Sequence, residues 1–411
     1  MKKIFCVVFA VVFALMSLSA AVFADSAEGS VLKFSQDGKF RIVHLTDVQD
    51  VYPLNATTKE FIKEMLAQLK PDLIVLGGDN CVADAEHKEA AIEELCSLFV
   101  ENETYFTLVF GNHDHQQHFE SQEDKTGQSE GIREYLLGLY QQYGGEYCLA
   151  FDADPDLTGV GTHNLTIAAS GSGKPAFNLY MMDSNAYYPN ENEDKGYDGV
   201  HPDEIEWYKN KAEELKAANG GKYVPAMMFQ HIVVQEAYDA LFIESPSSMG
   251  DMTATFEDID GNEKYYTYLP KVGGIKEGFM LEHPCPNYRD YGQFTALVET
   301  GDVMAIFSGH DHVNNYTLNI EGIDVVNSAG CTFHSYGDHM NRGVRVIDLD
   351  EKDLSTYSTF TYTLAEQALK EGSTLTTLGD ISKADAVFAV IGSKLLAVLM
   401  KALSAVFFFV K

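Results

Sequence analysis

Five short segments of this 411-residue chain, LTDVQD (45–50), LGGDN (76–80), FGNHDH (110–115), FQH (229–231) and SGHDH (308–312), set metal-binding side chains directly behind apolar runs. The runs themselves (RIVHL 41–45, DLIVL 72–76, YFTLVF 105–110, VPAMMF 224–229, VMAIF 303–307) are short, β-branched or aromatic, and stopped by Gly or a polar residue. Buried strands of a layered α/β domain read this way, and such sheets gather ligands at the carboxyl ends of their strands. Taken singly, an Asp after a strand is usually a turn residue or a cap, and a buried His is usually a packed, hydrogen-bonded one. Five successive strand ends bearing Asp, Asp, Asn, His and His-x-His have no common structural cause. One composite site for two metal ions requires all of them at once.

The order D-x-[H/Q], GD-x-x, GNHD, H, GH-x-H resembles the five-part signature of the calcineurin-like metallophosphoesterases. Outside it, LYMMDSNAYY (179–188), IEWYKNKAEELK (205–216) and GHDHVNNY (309–316) are similar to the single-domain branch related to purple acid phosphatases, so the resemblance covers residues 38–350. It implies an α/β fold, a four-layer α/β/β/α sandwich of two mixed sheets face to face with flanking helices. It also implies that Asp47, Gln49 and His312 hold one metal ion, that Asn112, His231 and His310 hold the other, and that Asp79 bridges the two. Carboxylate, imidazole and amide oxygen suit two divalent or trivalent ions such as manganese, iron or zinc, whereas a thiolate set would have suggested structural zinc.

The implied activity is hydrolysis of phosphate monoesters by a metal-bound hydroxide, with phosphodiesters and nucleotides as an alternative class and a non-catalytic metal- or phosphate-binding module as another. His113 would stabilise the transition state or protonate the leaving alkoxide, and Asp114 would orient its ring. His334 is a candidate phosphate contact, while His115 and His118 read as solvated loop residues. Two positions depart from the family pattern. Gln49 stands where most relatives have His, so the first metal should be held less tightly, with zinc less favoured, unless Gln49 lies behind the ligands. Val82 stands where the purple enzymes have Tyr, which removes their chromophore.

The ends of the chain carry separate signals. Met-Lys-Lys, an apolar stretch from Ile4 to Leu18 and Ala-Val-Phe-Ala (21–24) have the layout of a secretory signal peptide, so residues 1–24 are expected to be cleaved and the remainder secreted or held at the cell surface. A formal charge of -32 argues against nucleic acid as a partner and for solubility and cation retention at a cell surface, while the resemblance implies a small phosphate-ester substrate. Cleavage would leave five cysteines, an odd number without zinc-finger spacing, so at least one is unpaired within a monomer.

Residues 25–365 are expected to form one catalytic domain, since no linker separates the motifs and the ligands run from Asp47 to His312. Residues 236–292 interrupt its rhythm as a lid-like insertion whose tyrosines, Tyr265, Tyr266, Tyr268, Tyr288 and Tyr291, are candidates for leaving-group contact. Residues 380–411 read as an apolar helix. Lys383, Lys394 and Lys401 lie within about 20° of one another around it, a pattern that suits membrane association by lying in the interface.

Overall fold

The computed structural model describes residues 31–115, 131–189, 196–271, 273–339 and 342–408, so the expected signal peptide and His118 lie outside the described residues. In chain order the elements begin with β1 (Lys39–Leu45), α1 (Ala56–Leu69), β2 (Leu73–Gly77), α2 (Lys88–Val100), β3 (Phe106–Val109) and α3 (Ile132–Gly144). They continue through β4 (His163–Ala168), β5 (Pro175–Met181), α4 (Pro202–Ala218) and β6 (Ala226–Phe229), then α5 (Glu236–Leu241), β7 (Phe242–Ser245), β8 (Thr253–Glu257), β9 (Glu263–Pro270) and β10 (Ile275–Phe279). The last group is α6 (Gln293–Thr300), β11 (Val303–Ser308), β12 (Asn315–Ile320), β13 (Ile323–Asn327), β14 (Gly343–Asp350), β15 (Ser358–Thr363), α7 (Leu364–Ala368) and α8 (Lys383–Phe408).

Helix boundaries follow local chemistry. Asn55 caps α1 by accepting from the Thr57 and Thr58 amides, and Lys70 ends it in the left-handed region. Pro202 opens α4 at a position where its missing N–H costs nothing, and Glu204 reaches back to the His201 amide at 3.0 Å.

Two large sheets form, ordered β15-β14-β1-β2-β3 and β10-β12-β13-β11-β6-β5-β4. Within the first, β1, β2 and β3 run parallel; within the second, β5, β6, β11 and β13 run parallel. Alternation along β1 and β2 sorts the side chains. Ile42, Leu73 and Val75 join Phe177, Leu179, Met227, Phe229 and Phe307 in a core between the two sheets. Their neighbours Val43, Leu45, Ile74 and Leu76 point the other way, onto Phe61 and Ile62 of α1 and Ile92 and Leu95 of α2. The second sheet's outer face packs on Ile205 and Tyr208 of α4 and Phe294 and Leu297 of α6. Four layers, helix, sheet, sheet, helix, are the result.

Segment 236–292 is folded rather than loop-like. After α5 it forms a three-stranded sheet, β7-β9-β8, and then β10 at an edge of the second large sheet. Tyr238, Phe242, Phe256 and Tyr266 anchor it on the second outer core. Tyr266 is buried and donates to Asp239 at 2.6 Å, and Tyr268 stacks on His283 at 3.9 Å. The inward half of α8 is also packed: Ala386 and Ala389 belong to the first outer core, together with Leu375 and Ile381. Its other face exposes Val387, Phe388, Ile391, Leu395, Val398 and Leu399. Among the described residues no helix is long and apolar enough to cross a membrane.

Candidate metal centre

Parallel strands end on the same side of a sheet, so the turns after β1, β2 and β3 converge, and those after β6 and β11 face them from the second sheet. Glycines make the approach close enough. A Cβ on Gly78, at φ +91°, would come 2.5 Å from His231 Nδ1, and one on Gly111 would come 2.2 Å from Asp79 Oδ1. The site residues carry backbone strain of their own: Asp47, Gln49, Asp79 and His310 all have positive φ, at 51°, 38°, 49° and 70°.

Seven predicted ligands come together. Asp79, His231 and His310 each offer a ligand atom within 4.8 Å of the others, and all three are buried. His231 Nδ1 donates to the Gly77 carbonyl at 2.9 Å, which turns Nε2 toward Asp79 Oδ2 at 3.3 Å and Asn112 Oδ1 at 3.2 Å. The Asn112 amide is held in place by donating to the Tyr187 hydroxyl at 3.0 Å. On the other side, His312 Nδ1 donates to the Tyr336 carbonyl at 2.9 Å and its Nε2 lies 3.4 Å from Asp47 Oδ1. Asp47 Oδ2 accepts from Thr46 Oγ1 and from the His310 amide, at 2.8 and 3.0 Å. Gln49 is present in a supporting geometry, donating its amide N–H to Asp79 Oδ2 at 2.8 Å.

The donor set fits a pair of cations. His310 Nε2 is buried without a hydrogen-bond partner among the described residues and Asp47 Oδ1 has only the long contact to His312, a costly arrangement unless something else binds them. Burial alone would lower the histidines, yet the Asp79 carboxylate raises His231 to about 10 and Asp47 raises His312 to about 9. Burial likewise acts to raise the carboxylates, but His231 holds Asp79 well below the usual range and His312 lowers Asp47. Protons on these rings sit where entering cations would replace them.

A cavity of about 130 Å³ opens on this centre, lined by Gln49, Asp79, His113, His310 and His312, with Tyr197, Cys285, Asp311, Ser335 and Tyr336. Its walls are aromatic: Tyr197 meets His310 edge-on at 4.2 Å, and Tyr336 stacks on His312 at 4.2 Å. Among the described residues no Lys or Arg belongs to this lining. A phosphoryl group entering it would therefore find its countercharge in histidines and bound cations.

His113 lines the cavity, with its backbone N–H on Asp79 Oδ1 at 2.7 Å. Asp114 is buried and bound to backbone amides of two loops. Its Oδ1 accepts from the Asn80 and Cys81 amides at 2.8 and 3.1 Å and its Oδ2 from the Gly111 amide at 2.7 Å, so it ties two ligand loops together. His334 is exposed and absent from the cavity lining; its neighbours Ser335 and Tyr336 supply that wall, because the turn held by Thr332 Oγ1 directs His334 outward. His115, expected to be solvated, is buried. Nor do the five tyrosines proposed from the insertion line the cavity; Tyr197 and Tyr336 do.

Sequence reasoning missed Lys88 and the Arg133–Asp183 pair. Lys88 is buried and donates Nζ to the Cys81 and Asp114 carbonyls at 2.7 and 2.8 Å, clamping both loops from below. Arg133 meets Asp183 at 2.5 Å behind Gly111. A buried lysine at the start of a helix carries no spacing signal that would distinguish it from a surface one.

The calcineurin-like phosphoesterase family model matches residues 40–314. Among curated proteins, the chain is 27% identical to "Probable inactive purple acid phosphatase 14" of Arabidopsis thaliana, covering 77% of each chain. It is 24% identical to "Probable inactive purple acid phosphatase 29" of the same plant, covering 84% of this chain and 86% of that protein. It is also 24% identical to "Phosphatase DCR2" of Saccharomyces cerevisiae, covering 70% of this chain and 46% of that protein. Among solved structures, a dimetal phosphatase from Danio rerio aligns with a TM-score of 0.40 at 11% identity, over 79% of this chain and 99% of that one. With the five motifs in order and the family model spanning most of the chain, this protein belongs to the calcineurin-like phosphoesterase family.

Proposed function

We propose that this chain is an exported hydrolase of phosphate monoesters that uses two metal ions. Asp47, Gln49 and His312 would hold one ion and Asn112, His231 and His310 the other, with Asp79 between them. Bound there, the ions would supply charge for the phosphoryl oxygens and a water of lowered pKa. The carrying observation is His113, which lines the same cavity as Asp79, His310 and His312 and is fixed by its own backbone on Asp79. From that position it can pass a proton to the departing alkoxide. Asp114 and Lys88 keep the loop carrying it in register. Export is supported by the layout of residues 1–24 and by the strong net negative charge.

A second reading has a specific observation behind it, since two relatives bear names that call them probably inactive. A binding module would retain the metal ligands without needing a proton donor on the cavity wall. A panel of alkyl and aryl phosphomonoesters and matched diesters, assayed with manganese, iron and zinc, separates the possibilities. Turnover of monoesters at least about tenfold faster than of diesters is expected. Faster diester turnover would reassign the substrate class, and no turnover with both metals bound would favour the binding module.

A further inference from the structure

A second convergence of ligand atoms adjoins the centre. Cys285, in the segment between β10 and α6, brings its thiol within reach of His310 and Asp311: one ligand atom from each lies within 4.8 Å of the other two. The backbone fixes this arrangement, because the Cys285 amide donates to Asp311 Oδ1 at 3.1 Å. The remaining Asp311 oxygen, Oδ2, is buried and has no hydrogen-bond partner among the described residues, and the same holds for His310 Nε2. The Cys285 thiol and the Asn314 amide stand near this carboxylate, which is 2% exposed, and neither meets Oδ2 in good hydrogen-bond geometry, so a cation would satisfy it better. Cys81, Cys96 and Cys331 are buried, Cys148 is half-buried, and none of them belongs to such a group among the described residues.

We propose that Cys285, His310 and Asp311 form an accessory site for a thiophilic divalent cation, zinc above all. Sulfur, imidazole nitrogen and carboxylate oxygen are a zinc donor set, and three protein ligands leave a fourth position open to water from the cavity. Donors at ordinary zinc distances stand roughly 3.3–3.8 Å apart around a tetrahedral ion, so closing the trio requires movements of about 1 Å. Binding releases the thiol proton to solvent as sulfur becomes a thiolate ligand. This set is softer than the neighbouring one, which has no sulfur, so the two prefer different metals. His310 belongs to both sets. Zinc at the accessory site therefore competes for an imidazole that the dinuclear centre needs, and excess zinc acts as a brake; that consequence rests on the phosphoesterase reading, whereas the site itself does not.

The test uses the full chain loaded with manganese and titrated with cobalt(II), following the near-ultraviolet charge-transfer band that a thiolate–cobalt bond produces. Wild-type protein should show the band, zinc should abolish it, Cys285→Ser should lack it, and Asp311→Asn should need about ten times more cobalt to reach it. No band in the wild type, or an unchanged band in Cys285→Ser, would overturn the proposal. A second measurement needs no variant: zinc should slow alkylation of Cys285 by iodoacetamide, mapped by peptide mass, at least about tenfold. Unprotected Cys285 under saturating zinc would overturn the site equally. Neither readout depends on turnover, so a failure here and a failure of the phosphoesterase reading remain distinguishable.

Discussion

His231 shows how one neighbour decides what a side chain can do. The Gly77 carbonyl takes its Nδ1 proton, and Nε2 is left facing Asp79 and Asn112. His113 is the complementary case, a ring on the cavity wall beside the ligand cluster. Replacing it with Ala should lower kcat by about 10²–10⁴ on alkyl phosphates with little change in KM and with both metals retained, because the lost interaction belongs to the transition state. Activated aryl esters, which need no protonation, should suffer less. Asn112→Ala should lower metal content and activity together, and metal analysis beside kinetics distinguishes the two variants. The candidate ligands were legible in sequence because each follows a strand end by two to four residues. The contacts of Asp114 with the amides of Asn80 and Cys81, about thirty positions away, were not legible, since no spacing rule reports such a contact.

At the scale of elements, the strands that carry the motifs were the readable ones. β1, β2, β3, β6 and β11 are buried on both faces, so they appear as continuous apolar runs. β4, β12 and β15 mix Thr, Asn and Tyr with fewer apolar residues, and the insertion's strands lie in a small sheet outside the main layers; periodicity alone could not place them. One of the polar contacts between the two large sheets ties β4 to β3. His163 of β4 meets Thr107 Oγ1 of β3 at 2.7 Å through Nε2, and the Gly161 carbonyl at 2.7 Å through Nδ1. Burial lowers this ring from 6.5 to about 4. Between those values the unfolded chain binds the proton that the folded chain refuses, so stability should fall as pH drops through this window and level off below it. The ring's share is about 3 kcal/mol. Urea unfolding of the metal-free protein should show the effect, and His163→Phe, though less stable near neutrality, should fall less steeply with acid. Parallel slopes for the two proteins would assign the acid sensitivity elsewhere.

For the molecule as a whole, charge and the last helix set the surroundings in which the centre works. A net charge of -32 repels anionic partners except where cations are bound. α8 departs from that composition, with Lys383 and Lys394 at one edge of an exposed apolar face made by Phe388, Ile391, Leu395 and Val398. Such a face can lie in a membrane interface while its lysines reach the headgroups. Because Ala386 and Ala389 are packed in the core, a truncation that spares the fold has to begin after Val390. This shortened protein should lose most of its binding to anionic vesicles and keep its hydrolytic rate, as measured by co-sedimentation and assay of the same preparation. Equal sedimentation of both forms would remove the helix from any membrane role.

The central claim, that the five motifs assemble one dinuclear hydrolytic centre, is tested most directly by adding metal stepwise to the chelated full-length protein while counting bound ions and assaying an alkyl phosphomonoester in the same samples. Two ions per chain are expected at the centre, with turnover appearing as the second binds, and Asp79→Asn should bind metal poorly and remain inactive. Full turnover in the metal-free protein, or two bound ions with no hydrolysis of any phosphate ester, would contradict it.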